Sequence, residues 1–344
     1  MDQNAREAGM RGIAIAGVVV LASAGWAHAA SFDCSKASTA VERAICGSRE
    51  LSQMDETLAA AYAAAREGLS PEAERVVRAG QRDWIDYRDR ACTRDAKPIG
   101  GDYDADGMQC LANLYSLRLE QLQLPGTLGG LRIYYRSRFA AYDDPQALPE
   151  DWSQVASKEL GVPQIDAAGA EAKAFNAFAS AIAAPALAQC DAGTAETESD
   201  SNISLAIETV NAPRITVRES DWWYGHGAAH GNYAVSYAHF LRQPMRGLAA
   251  EDIFSGDDWA NRIEPMIIDA LATQGSREDY WEDLSEISEL IVDPARWDFS
   301  AEGITFQFQP YEVAAYAAGA PLAILAWDRL APFLAPGARA LVGE

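Results

Sequence analysis

The run Asp102-Tyr103-Asp104-Ala105-Asp106-Gly107 places acids at positions 1, 3 and 5 and a glycine at 6, the opening of a calcium loop. Position 12, which should supply a bidentate carboxylate, is Asn113, and Cys110 falls at position 9. An acidic surface turn is the competing reading. His226 and His230 are four apart, a spacing that holds zinc when both lie on one helix. His239 lies further on; the interval here is Gly-Ala-Ala, with poor helix character and no glutamate to serve as base, so a structural or contact role is expected. No nucleophile, base and orienting group can be assembled from the sequence. The expectation is a non-enzyme with no catalytic residue, no cofactor and no metal beyond the incomplete calcium candidate Asp102, Asp104 and Asp106. Trp222-Trp223-Tyr224 lies between the turn residues Asp221 and Gly225. Large aromatics there either anchor an interface or plug a core. Trp222, Trp223, Tyr224, His226 and His230 are therefore the partner-binding candidates. Between Glu278 and Asp298 eight acids face one base, Arg296: a solvated helix face, or a patch that steers a basic partner.

The cysteines and charges divide the chain. Cys34, Cys46, Cys92 and Cys110 lie in the first half and Cys190 alone in the second. Four cysteines in a small exported segment read as two disulfides in one of three pairings. Zinc is disfavoured, because no C-x-x-C pair and no histidine lies among them. The formal net charge is -22. Residues 31–124 carry a net of -4 and residues 125–344 a net of -18, which suggests two different jobs. Such acidity argues against nucleic acid and anionic membrane as partners and permits a basic protein; the competing reading is that it only keeps an exported protein soluble.

The N-terminus has the layout of a secretory signal. Arg6 and Arg11 precede an uncharged, mostly apolar run from Ile13 to Ala24, and Ala27-His28-Ala29 supplies small residues for cleavage after Ala29 or Ala30. The run is shorter than the roughly 20 residues of a spanning helix, and no cysteine directly follows it. A cleaved, soluble, periplasmic protein without a lipid anchor is expected.

Hydrophobic spacing then supplies the elements. Helices are predicted from Thr39 or Ser38 through Cys46, over Glu50–Glu67, from Pro71 to about Cys92 and over Met108–Leu124, an all-helical unit of about 90 residues. The Pro/Gly-dense run Leu124–Gly130 reads as a linker. Beyond it, Ala167–Ala184, Asp257–Gln274 and part of Glu278–Leu290 read as helices, and residues 190–202 as a loop. Alternation at Ile203/Leu205/Ile207, Ile215/Val217, Tyr233/Val235/Tyr237 and Ile304/Phe306/Phe308 reads as half-buried strands. The expected organisation is a signal peptide (1–30), a disulfide-tied all-α domain (31–124), a linker and lead-in segment (125–160) and an α+β domain with a mainly antiparallel sheet (161–340).

Two resemblances sharpen this. Phe32-Asp33-Cys34-Ser35-Lys36-Ala37, Val41–Cys46, Leu58–Tyr62, Gln81-Arg82-Asp83-Trp84, Arg88–Cys92, Cys110-Leu111, Leu114-Tyr115 and Arg118 resemble the LprI-type lysozyme inhibitors. That resemblance implies helical hairpins tied by Cys34–Cys46 and Cys92–Cys110. The second half resembles a domain of the lysozyme-sensing anti-sigma factor RsiV, also found beside peptidoglycan deacetylases, over roughly 160–335. Its marks are Gly227-Ala228-Ala229-His230-Gly231, Leu248–Phe254, and Phe306-Gln307-Phe308-Gln309-Pro310-Tyr311-Glu312-Val313 with Tyr316-Ala317-Ala318-Gly319. Ala315 departs from the proline common there, and the chain lacks the membrane and cytoplasmic parts of an anti-sigma factor. Both resemblances imply a partner that is lysozyme or another basic cell-wall hydrolase, bound and inhibited by the acidic protein. The alternatives are a peptidoglycan- or carbohydrate-binding envelope module without inhibitory activity, and a wall hydrolase using His230 or Glu312.

Overall fold

A computed structural model describes residues 30–148, 154–274, 280–281, 284 and 286–343. The signal peptide read over residues 1–30 lies outside them except for Ala30, as does much of the acidic stretch 278–285.

Capping chemistry sets the first helices. Thr39 and Glu42 form a reciprocal box at the start of α1 (Ala40–Gly47), with Glu42 N donating to Thr39 Oγ1 and Thr39 N to the Glu42 carboxylate. Ser48 caps α2 (Arg49–Ala65), Ser70 with Pro71 opens α3 (Pro71–Ala91), and Asp104 caps α4 (Ala105–Leu122). Cys34–Cys46 and Cys92–Cys110 are closed, the pairing that the first resemblance implies. Inside, Trp84 meets Tyr115 edge-on at 5.1 Å among Val41, Ile45, Leu51 and Leu111.

Beyond residue 124 a seven-stranded sheet runs in sequence order: β1 (Thr127–Leu128), β2 (Leu131–Asp143), β3 (Val155–Ile165), β4 (Ser199–Val210), β5 (Arg214–Gly225), β6 (Asn232–Leu241) and β7 (Arg246–Gly247). Every pair is antiparallel except β3–β4, whose crossover contains α5 (Ala170–Ile182) and α6 (Ala184–Gln189). Phe175 of α5 packs edge-on against Phe240 over Leu205, Ile207, Ile215 and Val217. After α7 (Ala250–Ile253), α8 (Trp259–Gln274) and α9 (Ile287–Leu290), a second antiparallel sheet forms from β8 (Trp297–Phe299), β9 (Gly303–Gln307) and β10 (Leu322–Ala326). α10 (Trp327–Leu330) and α11 (Ala338–Val342) close the chain around Trp297, Phe306, Phe308, Ile263 and Ile267. The architecture is thus a helical, disulfide-tied unit followed by a mixed α/β region with mainly antiparallel sheets. Among the described residues no helix is long and apolar enough to cross a membrane.

Two stretches differ from the sequence expectation. The segment 125–160, read as linker and lead-in, contains β2 and most of β3. In β2 the polar Ser137 interrupts the apolar face that carries Leu131, Ile133, Tyr135 and Phe139. β3 is buried along most of its length although it carries Lys158 and Glu159, because each is bonded: Lys158 Nζ donates to Ser199 O at 2.7 Å, and Tyr87 Oη donates to Glu159 at 2.9 Å. Residues 199–202, read as loop, are small and polar but form the first rungs of β4.

Candidate interaction surface

The β5–β6 hairpin sets Trp222 opposite Tyr233, and its connecting turn carries His230. The His230 ring lies 4.2 Å from that of Tyr316, whose hydroxyl donates to Gly231 O at 3.0 Å. His230 Nε2 is 3.1 Å from Tyr311 Oη, and Tyr316 in turn meets Tyr233 edge-on. Trp281 donates through Nε1 to Tyr311 O at 3.3 Å. A belt therefore runs from Trp281 through Tyr311, His230, Tyr316 and Tyr233 to Trp222. Tyr311 is 50% and Trp222 44% exposed, so the belt presents apolar ring area with hydroxyl and ring-nitrogen edges to solvent.

The belt is braced from beneath. Tyr311 has φ +73, a conformation that costs a non-glycine residue energy and persists where its surroundings over-determine it. The bracing comes from Glu312. Its carboxylate accepts from Gln309 N at 2.7 Å and from both terminal nitrogens of Arg296 at 2.6 Å. Gln309 reaches across to β6, accepting from Val235 N and donating to Val235 O. Phe306 and Phe308 are fully buried, so they fix the strand from which the loop departs.

The five sequence candidates part company here. Trp222 and His230 belong to the belt. Trp223 is equally exposed, yet strand alternation turns it to the other face of β5. Tyr224 turns inward, stacks on Trp222 and donates to Ala228 O at 3.2 Å. His226 is buried, with Nδ1 2.6 Å from Asp144 Oδ2 and Nε2 3.6 Å from Asp200 Oδ1, a strut between three chain segments. Burial raises the Asp200 carboxyl above its ordinary range. His239 is a core residue between Thr216 Oγ1 and Trp297 O, and burial pulls it down to about 3.

Asp102, Asp104 and Asp106 do not converge. Asp102 pairs with Arg43 at 3.0 Å, Asp104 caps α4, and Asp106 sits in its first turn. Among the described residues no three His, Cys, Asp or Glu side chains gather as a metal site. In the sequence Tyr311 and Tyr316 are parts of a motif, Tyr233 a strand residue and Trp281 a helix residue, and none of the four is marked there as surface.

An exposed aromatic belt on a mixed α/β scaffold thus follows a disulfide-tied helical unit. Residues 33–122 match the family model described as Lysozyme inhibitor LprI, and residues 251–328 match that described as Protein of unknown function (DUF3298). Lipoprotein LprI of Mycobacterium tuberculosis and of Mycobacterium bovis are each 31% identical to this chain over 108 residues, which is 31% of this chain and 48% of the relative. The chain thus spans about half the length of the curated relatives it matches. A DUF3298 family protein from Pseudomonas aeruginosa aligns at 11% identity and TM-score 0.44 over 60% of this chain and 96% of its own. A Bacteroides fragilis member aligns at 13% and 0.44 over 63% and 99%. The second family match is shorter than the span of the RsiV resemblance. It covers α7 to α10, including Tyr311 and Tyr316 but not the seven-stranded sheet.

Proposed function

We propose that this is an exported, periplasmic lysozyme-binding protein that inhibits its target without performing catalysis. The observation that carries the reading is the braced belt of Trp222, Tyr233, His230, Tyr316, Tyr311 and Trp281 on the half of the chain that bears a net of -18. Many lysozymes are strongly basic, so the acidic half steers the encounter and the exposed rings anchor it. The match of residues 33–122 to a family described by lysozyme inhibition supports the same target. The resemblance of the second half to the lysozyme-sensing domain of RsiV supports it again. The N-terminal pattern around Arg6, Arg11 and Ala27-His28-Ala29 supports export.

Inhibition and binding by the purified protein, measured against a panel of lysozymes at low salt, test the proposal. Inhibition at molar excess is expected for at least one type. The double variant Trp222→Ala/Tyr311→Ala is expected to weaken it at least tenfold, since aromatic anchors at interface centres cost about 2 kcal/mol or more when truncated. Full activity of every lysozyme, with no complex formed, sinks the proposal. The exposed indoles of Trp222 and Trp223 favour a second reading, stacking on wall glycan. Retention on purified sacculi free of lysozyme separates the two.

A further inference from the structure

A cleft of about 780 Å³ opens where the helical unit meets the start of the large sheet. One wall is the small-residue face of α2 (Ala60, Ala61, Ala64); Leu122, Val77 and Ile133 add to its apolar lining, and Glu67, Gln123 and Arg132 bring polar groups to it. The volume lies in the range of small-molecule sites. At one end lies Arg118, which is 3% exposed. Its Nε and Nη2 donate to Gln81 Oε1 at 3.2 and 3.1 Å, and its Nη1 to Gln121 Oε1 at 3.0 Å and Ser137 Oγ at 3.2 Å. All three acceptor groups are neutral. The guanidinium also lies over the Phe139 ring, 5.1 Å from its centroid.

A buried cation is costly unless an anion answers it. Burial accordingly pulls Arg118 down to about 10. Glu159 is within electrostatic reach, yet its carboxylate is bonded to Tyr87 and Asn202, and no ion pair joins it to Arg118 among the described residues. Burial has also pushed Glu159 up to about 7, so its charge is only partly present at neutral pH. These four bonds leave one Nη2 hydrogen of Arg118 to meet a carboxylate oxygen, and the alanine wall accepts methylene groups.

We propose that this cleft binds a single-chain acidic amphiphile, an acyl carboxylate whose head group meets Arg118 and whose chain lies along Ala60, Ala61 and Ala64 of α2. The site is separate from the aromatic belt and does not depend on the lysozyme reading.

Fluorescence titration of the purified full-length exported protein with cis-parinaric acid, beside its methyl ester, tests the site. The acid is expected to bind saturably at one equivalent and the ester at least tenfold more weakly, because a charge-assisted hydrogen bond is lost. Arg118→Gln should erase the preference for the acid. Ala64→Trp, at an exposed position on the cleft wall, should abolish binding of both probes with the melting temperature unchanged. Should Arg118→Gln fail to fold, the ester comparison and Ala64→Trp still decide. No saturable binding up to about 100 μM, equal affinity for acid and ester, or undiminished binding by Ala64→Trp overturns the proposal.

Discussion

At the residue scale, the belt depends on a conformation that Tyr311 adopts at a cost. Glu312 and Arg296 offset that cost from outside the surface itself, which leaves the phenol ring free to be shown to solvent. The neighbouring histidines demonstrate how little residue type says alone. His230 lies in the belt, His226 is a buried strut, and His239 is a core residue accepting from Thr216 and donating to Trp297 O. His239 carries a prediction of its own. Its folded value of about 3 lies below the ordinary 6.5, so the neutral form is the one the fold accommodates. The stability it contributes is complete above pH 6.5 and is lost as pH falls from 6.5 toward 3, with a slope of up to about 1.4 kcal/mol per pH unit. Chemical denaturation across that window should show His239→Gln with a flatter pH dependence than the parent. Parallel curves would contradict the assignment.

At the element scale, the parts legible in the sequence are those whose determinants are local. Thr39 with Glu42, Ser70 with Pro71, and the stripe of Val77, Trp84 and Tyr87 mark helices within a few residues of where they stand. Alternation likewise finds β5, β6 and β9. β2 and β3 were illegible because their polar residues are answered from far away in sequence. Glu159 takes its hydrogen bonds from Tyr87 on α3 and Asn202 on β4, and Ser137 meets Arg118 on α4. The belt was half legible for the same reason. Trp222 and His230 stand together in sequence, while Tyr311 reaches them only through the second sheet. Glu159 has a pH signature opposite to that of His239. Its value is raised from 4.5 to about 7, so the stability it allows is complete below pH 4.5 and is lost as pH rises through 7. A shift of this size corresponds to roughly 3 kcal/mol at most. Glu159→Gln should therefore gain stability relative to the parent at pH 8 and lose that advantage at pH 4. A variant equally destabilised at both values would show that the lost hydrogen bond, not the charge, dominates.

At the scale of the whole molecule, the helical unit and the sheet are built as one packing problem. Tyr87 stacks on Phe139 at 5.7 Å, Ser70 bonds Asp166, and Arg138 pairs with Asp83, so the helices rest directly on β2 and β3. The charge is not shared in that way. The first half is near balance and the second strongly negative, which puts the field where the belt lies. If a basic lysozyme is the partner, the field and the rings act on different steps. Long-range attraction raises the rate of encounter, whereas buried ring contacts slow departure. Raising ionic strength from about 0.01 M to about 1 M shortens the Debye length from about 30 Å to about 3 Å, which removes steering and leaves contact distances almost untouched. Surface plasmon resonance over that range should therefore show the association rate constant falling by about tenfold or more while dissociation changes little. Trp222→Ala/Tyr311→Ala should do the reverse, with faster dissociation and an unchanged salt slope. An association rate flat in salt would remove the role given to the acidic half, whatever the affinity proved to be.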